Sequence, residues 1–331
     1  MENVQQAIDI VITWVDGNDV QLKQKRQDYL SESIASSASS STRFASNDEI
    51  YFCIASVLKY MSNLGTIYIV TDQQKPRWIE EFAKQGICSE DKIKIIDHTV
   101  IFKDFEEYLP TFNSLSINTL IWNIPELSER IMYFNDDIFI TQPLDISDGF
   151  IEEKIIIYGA WKSKLLPKMK YLIRNMIYRW LNKSAEPKFT IAQMLGADKI
   201  GLSRYYTLEH RPHFLKKSIL QQYFMVHPQY LIQQIHHKFR HIDQFSPISL
   251  ANHLAIQQGK AILKPNIPIA YLRPQDNVEQ FLREITDESI KFGCIQSLDM
   301  MTLEQRKQIQ QGMVDKFDSF LPQQVKTTVI Q

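Results

Sequence analysis

Short apolar runs recur through the first 140 or so residues, and polar residues cut each one off. Ile8-Asp9-Ile10-Val11-Ile12-Thr13-Trp14 is rich in β-branched side chains and is followed by the turn formers Asp16-Gly17-Asn18-Asp19. That pattern predicts a short buried strand. Residues 66–71, 92–96 and about 131–134 repeat it. Between the strands the apolar spacing becomes helical. Ile50, Ile54, Val57, Leu58 and Met61 follow Asn47 and Asp48, either of which is suited to cap a helix, and Gly65 is suited to stop it. Helices are also expected over 21–30, from Pro76 to about 84, and over about 116–122. Strands alternating with helices predict an α/β fold: a Rossmann-like, mostly parallel sheet with helices on both faces.

Parallel strands place all their C-terminal ends on one edge, where open α/β sheets bind ligands. The polar strand ends here are Asp16, Asp72, Asp97 with His98, and Asn135-Asp136-Asp137. Taken alone, Asn135-Asp136-Asp137 has two readings. It is turn and capping chemistry, or it is a pair of carboxylates desolvated in order to hold a cation or move a proton. Four polar ends on one edge favour the second.

Beyond residue 150 the pattern changes. Residues 161–183 contain no acidic side chain, while Lys162, Lys164, Lys168, Lys170, Arg174, Arg179 and Lys183 are basic. Apolar residues recur there every three to four positions, which predicts a basic amphipathic helix with Pro167 in its first turn. Its apolar face either packs on the core or meets a membrane surface or anionic ligand. The last third is expected to be mainly helical, over about 215–225, from Pro228 toward 239, over 248–257 and over 303–320. A short strand is expected within 292–299, irregular chain over 264–277 and a frayed tail after Pro322. His210-Arg211-Pro212-His213 and Arg240-His241 flank loops, where functional groups concentrate. His227, His236, His237 and His253 read as helix-surface or capping residues. The expected organisation is a single catalytic domain over 1–331, with 151–205 an inserted basic helical segment and 206–331 completing the active site.

Composition narrows the function. With 37 basic and 38 acidic residues there is no charge argument for nucleic acid as a partner. Cys53, Cys88 and Cys294 form neither a zinc spacing nor a disulfide framework, which points to a reducing compartment. The first residues lack signal-peptide character, and no apolar stretch is long enough to span a bilayer. A cytoplasmic protein is expected, with peripheral contact at the inner face of the cytoplasmic membrane. Neither a dinucleotide fingerprint nor a P-loop is present.

The ordered set of motifs resembles the Stealth family of sugar-phosphate transferases. Residues 8–19 are similar to its opening block. Arg43-Phe44, Asp48-Glu49, residues 67–72, Pro76, Asp97-His98, residues 109–114 and Asn135-Asp136-Asp137 follow its long second block in order. His210-Arg211-Pro212-His213 with Arg240-His241 resembles the third block, and residues 292–299 with Phe320-Leu321-Pro322 resemble the fourth. Asn118 stands where the family usually carries a Glu.

The resemblance implies transfer of hexose-1-phosphate from a nucleotide-diphosphate sugar, a UDP-hexose or UDP-N-acetylhexosamine, to a hydroxyl of a glycan or lipid-linked glycan. The product is a phosphodiester in a capsule or cell-surface polysaccharide. Such chemistry needs charge neutralisation around the phosphate and a base for the incoming hydroxyl. Asp137 is the expected base. Asp136 and Asp299 are the expected ligands of Mg²⁺ or Mn²⁺. His210, Arg211, His213 and Arg240 are expected to stabilise the transferred phosphate. Trp14, Asp16, Gly17, Arg43, His98, Asn113, Ser114 and His241 make up the expected substrate-binding set. A conventional metal-dependent glycosyltransferase and a non-catalytic glycan-binding protein are the competing readings.

Overall fold

A computed structural model of the chain describes residues 7–30, 44–181 and 188–330. Arg43 lies outside them.

The four expected strands are present, and they are parallel. β1 (Ile8–Thr13) is central, with β2 (Leu64–Thr71) on one side and β4 (Arg130–Asn135) on the other. β3 (Ile93–Asp97) pairs with β2. The strand His213–Lys216 adds antiparallel to the free side of β4. Ile8, Ile10, Val11 and Ile12 are all fully buried, because β1 is covered on both faces. The helix Glu49–Tyr60 packs its apolar side chains into the same core.

Several elements differ from expectation. The region 264–277 contains a strand, Ile269–Leu272, beside Phe292–Ile295, which in turn pairs with Ile138–Ile140. Burial of alternate side chains in this small sheet outweighs the flanking prolines. The region 151–205 contains strands, including Lys154–Tyr158 and Trp161–Ser163, as well as the helices Leu165–Trp180 and Phe189–Asp198. Residues 323–330 are helical, and Val325 anchors them in the core. His253 is fully buried; its Nε2 accepts from the Tyr206 amide at 2.8 Å.

Gly65 does not stop a helix. The preceding helix ends at Tyr60, and Gly65 lies within β2, where a Cβ would sit 2.2 Å from Asp9 Oδ1. Asp9 explains the close approach. Its Oδ1 accepts from the Thr66 amide at 2.8 Å; its Oδ2 accepts from the Ser128 amide and hydroxyl at 2.7 and 2.6 Å. One buried carboxylate thus ties β2 and the loop before β4 to the central strand. Asp9→Ala would leave these donors unpaired in the interior. It should lower unfolding stability by about 3 kcal/mol, read as a lower urea midpoint with unchanged slope. An unchanged midpoint would show that the clasp contributes nothing.

Candidate active site

A cleft of about 580 Å³ opens at the C-terminal edge of the parallel sheet. Thr13 and Trp14 line it from the end of β1, Val70 and Asp72 from β2, His98 from the end of β3, and Asn135, Asp136 and Asp137 from β4. Later chain closes it with His210, Arg240 and the turn containing Asp299.

The end of β4 is held in place by a buried hub. The Tyr133 hydroxyl donates to Asn135 Oδ1 at 2.7 Å and lies 2.9 Å from both Thr13 Oγ1 and Asn118 Nδ2. Asn118 is therefore part of the support beneath the cleft. Asp137 follows directly. Its carbonyl accepts from the Ile295 amide at 3.0 Å, and its Oδ2 lies 3.1 Å from His210 Nε2. The Cys294 thiol points at the same oxygen from 3.7 Å. Asp137 Oδ1 is buried and accepts no hydrogen bond from any described residue.

Charge is concentrated here. Burial pushes the Asp136 carboxyl well above the usual range, and the negative charges of Asp137 and Glu49 push it further. Burial likewise raises Glu49 to about 7, with Asp137 adding to the rise and hydrogen bonds from the backbone at Asn47 and at Glu49 itself opposing it. Burial alone would lower the His210 imidazole, but the charge and hydrogen bond of Asp137 outweigh it and the net shift is upward. Burial and Asp137 keep the Cys294 thiol protonated. Asp137, His210 and Cys294 bring potential ligand atoms within 4.8 Å of one another, so the group is able to chelate a divalent ion. The carboxylates of Asp136 and Glu49 add hard oxygen donors to this region.

The expected site residues divide. Trp14, His98, Ser114, Asp136, Asp137, His210, Arg240 and Asp299 all line the cleft. Arg240 donates to Ser114 Oγ at 2.6 Å, which joins two of them. Trp14 Nε1 donates to Ser46 at 3.3 Å. The others sit elsewhere. Arg211 is buried with its guanidinium over the Tyr158 ring, donating to the Tyr158 carbonyl at 2.9 Å. His213 lies in the antiparallel edge strand opposite Tyr133; burial and then the charges of Arg211 and His210 hold it well below the usual imidazole range. Asn113 caps the helix Ser114–Thr119 and donates to the His237 carbonyl and to Gln244 Oε1. His241 stacks on His237 beside Asp243. Asp16 closes its own turn by accepting from the Asn18 amide, and Gln74 clamps its backbone. Gly17 is required by packing, since a Cβ would lie 2.3 Å from the Phe44 carbonyl oxygen.

Sequence reasoning missed Glu49 and Cys294 as members of this group. Glu49 reads as a favourable acid in the first turn of a helix. Only the structure marks the place: the neighbouring Asp48 has a φ of +68°, unusual for a residue other than glycine. Nothing in the sequence brings Cys294 to Asp137, because that contact depends on the pairing of two strands far apart in the chain.

Raising the Glu49 pKa has a definite sign for stability. The folded state holds this proton more tightly than the unfolded chain, so stability falls as pH rises from about 4.5 to about 7. A shift of that size corresponds to about 3 kcal/mol. In EDTA, the urea midpoint of Glu49→Gln relative to wild type should rise between pH 4.5 and 8, because the variant lacks this loss while the buried histidines titrate alike in both proteins. A difference between the two proteins that does not change with pH would remove Glu49 as a source of pH dependence.

Comparison with known proteins follows the same landmarks. Residues 6–34 match the model for Stealth protein conserved region 1, and residues 43–157 match that for conserved region 2. These ranges contain β1 to β4 and the Asp136–Asp137 step. The capsular polysaccharide phosphotransferase cps1A of Actinobacillus pleuropneumoniae is 31% identical over 315 residues, covering 90% of this chain and 79% of that protein. The cps12A protein of the same species is 41% identical over 171 residues, covering 50% of this chain and 44% of that protein. The exopolysaccharide phosphotransferase SCO6023 of Streptomyces coelicolor is 29% identical, covering 82% of this chain and 43% of that protein. The chain belongs to the Stealth family, among relatives named as capsular and exopolysaccharide phosphotransferases.

Proposed function

We propose that this protein transfers hexose-1-phosphate from a nucleotide-diphosphate sugar to a hydroxyl of a glycan or lipid-linked glycan. The acceptor oxygen attacks the sugar-linked phosphorus and the pyrophosphate bond breaks. Nucleoside monophosphate leaves, and the product is a phosphodiester in a capsular or cell-surface polysaccharide. The observation that carries this reading is the unpaired, buried Asp137 Oδ1, set in the cleft beside His210 and Arg240.

Each residue has a role in this proposal. Asp137 Oδ1 accepts the proton of the incoming hydroxyl, while Oδ2 stays engaged with His210. The upward shift of His210 favours the imidazolium, which with Arg240 offsets charge on the phosphate in transfer. His98 Nδ1 and Thr111 Oγ1 are also buried, line the cleft and lack a partner among the described residues. Burial holds His98 at about 4, hence neutral at physiological pH. The pair is suited to hydrogen-bond the polar edge of a nucleoside, with Trp14 and Phe112 as apolar walls.

The two carboxyls pushed upward by burial and by the neighbouring charge of Asp137 are suited to a hard divalent cation. Asp136, with Glu49, whose charge acts on it, and with Asp299 lining the same cleft, would hold Mg²⁺ or Mn²⁺, which would supply charge neutralisation to the pyrophosphate. Arg211, His213, Asn113 and His241 support the walls of the site rather than touch substrate in this scheme. The protein is taken to work in the cytoplasm at the inner face of the membrane; no described helix is long and apolar enough to cross one.

Phosphorus NMR with a panel of nucleotide sugars should show nucleoside monophosphate and a new phosphodiester. Release of nucleoside diphosphate would instead establish glycosyl transfer. Asp137→Asn should lower turnover about 100- to 1,000-fold with thermal stability little changed, and near-normal turnover would overturn its role as the base. EDTA should abolish transfer, and Mg²⁺ or Mn²⁺ should restore it; full resistance to EDTA would leave His210 and Arg240 as the neutralising groups.

A further inference from the structure

The helix Leu165–Trp180 faces the wrong way for an ordinary surface helix. Its body-facing side is marked by Pro167, which is buried, and by Tyr171, whose hydroxyl donates to Asp243 at 2.7 Å. Tyr171 packs against a small cluster that includes Ile191 and Met194. The apolar side points outward. Leu165, Met169, Leu172, Ile173, Met176 and Trp180 are between 49% and 83% exposed. At 3.6 residues per turn these six fall within an arc of about 100°. On the same wheel the exposed Lys168 and Arg179 flank one edge of the arc and the exposed Lys170 flanks the other.

We propose that this helix lies flat in the interfacial region of an anionic bilayer. Its outward apolar stripe enters the acyl boundary, and Lys168, Lys170 and Arg179 meet the headgroup phosphates. The helix is too short and too charged to span; at 1.5 Å per residue its 16 residues cover about 24 Å. Charge selects lipid over a second copy of the chain. Residues 161–181 contain no acidic side chain, so two such faces pressed together would bring basic edges against basic edges. An anionic bilayer supplies the missing charge together with an apolar interior for the stripe. This surface is separate from the transfer chemistry, and testing it requires no activity.

The test is co-sedimentation of the full chain with phosphatidylcholine vesicles, with and without phosphatidylglycerol. Binding to the anionic vesicles should exceed binding to the zwitterionic ones by about tenfold or more, with a blue shift of tryptophan emission. Leu172→Glu combined with Met176→Glu should abolish that binding and leave the melting temperature unchanged, because both side chains are exposed. The proposal is overturned if the wild-type protein ignores anionic vesicles at low salt, or if the double variant binds as well as the wild type. It is also overturned if the same substitutions dissolve a dimer that forms without lipid while vesicle binding is absent.

Discussion

Carboxylates at positions 49, 136 and 137 repel one another in a cleft that hydrates them poorly. Ionised groups in such surroundings raise the free energy of the fold unless something positive lies nearby. The structure answers this in two ways. His210 and Arg240 come in from the second half of the chain, and the upward shifts of Glu49 and Asp136 leave those carboxyls disposed to take a proton or a cation. Much of the architecture outside the parallel sheet can be understood as the scaffold that brings these countercharges into reach.

That scaffold is mostly strand pairing at long range. The edge strand His213–Lys216 runs antiparallel to β4, and the turn leading into it sets His210 beside Asp137. The strand Phe292–Ile295 pairs with Ile138–Ile140, placing Cys294 and the Ile295 amide against the same residue. Below them Tyr133, Asn135, Thr13 and Asn118 form a polar hub joined at the Tyr133 hydroxyl, which fixes the direction in which the end of β4 projects. The reactive group is thus held by regular elements rather than by loops alone, which favours a constant geometry.

The helix Leu165–Trp180 shows how a single pattern admits two structures. Amphipathic periodicity gathers the apolar residues on one arc but says nothing about whether that arc meets the protein. Packing on the core is the commoner outcome for such a helix. Here Pro167 and Tyr171 anchor the helix from its narrow polar-aromatic side, and the apolar arc stays in solvent. Asp243, which receives the Tyr171 hydroxyl, is remote in sequence, so the orientation could not be derived from the helix itself.

The sequence by itself determined the parallel core, its strand order in the chain and the polar end of each strand, because β-branched runs and turn formers act locally. It also singled out Asp136, Asp137, His210 and Arg240, whose residue types suit phosphate chemistry wherever they converge. Tertiary structure alone decided which neighbours share the cleft. His210 and His213 are three residues apart, yet one lies against Asp137 and the other is enclosed in an edge strand. Arg211, between them, turns to Tyr158. Glu49 looks like an ordinary first-turn acid until burial raises it, and Gly65 looks like a helix stop until Asp9 is seen against it. In each case the deciding term is burial or pairing with a residue far away in the chain, which no local pattern encodes.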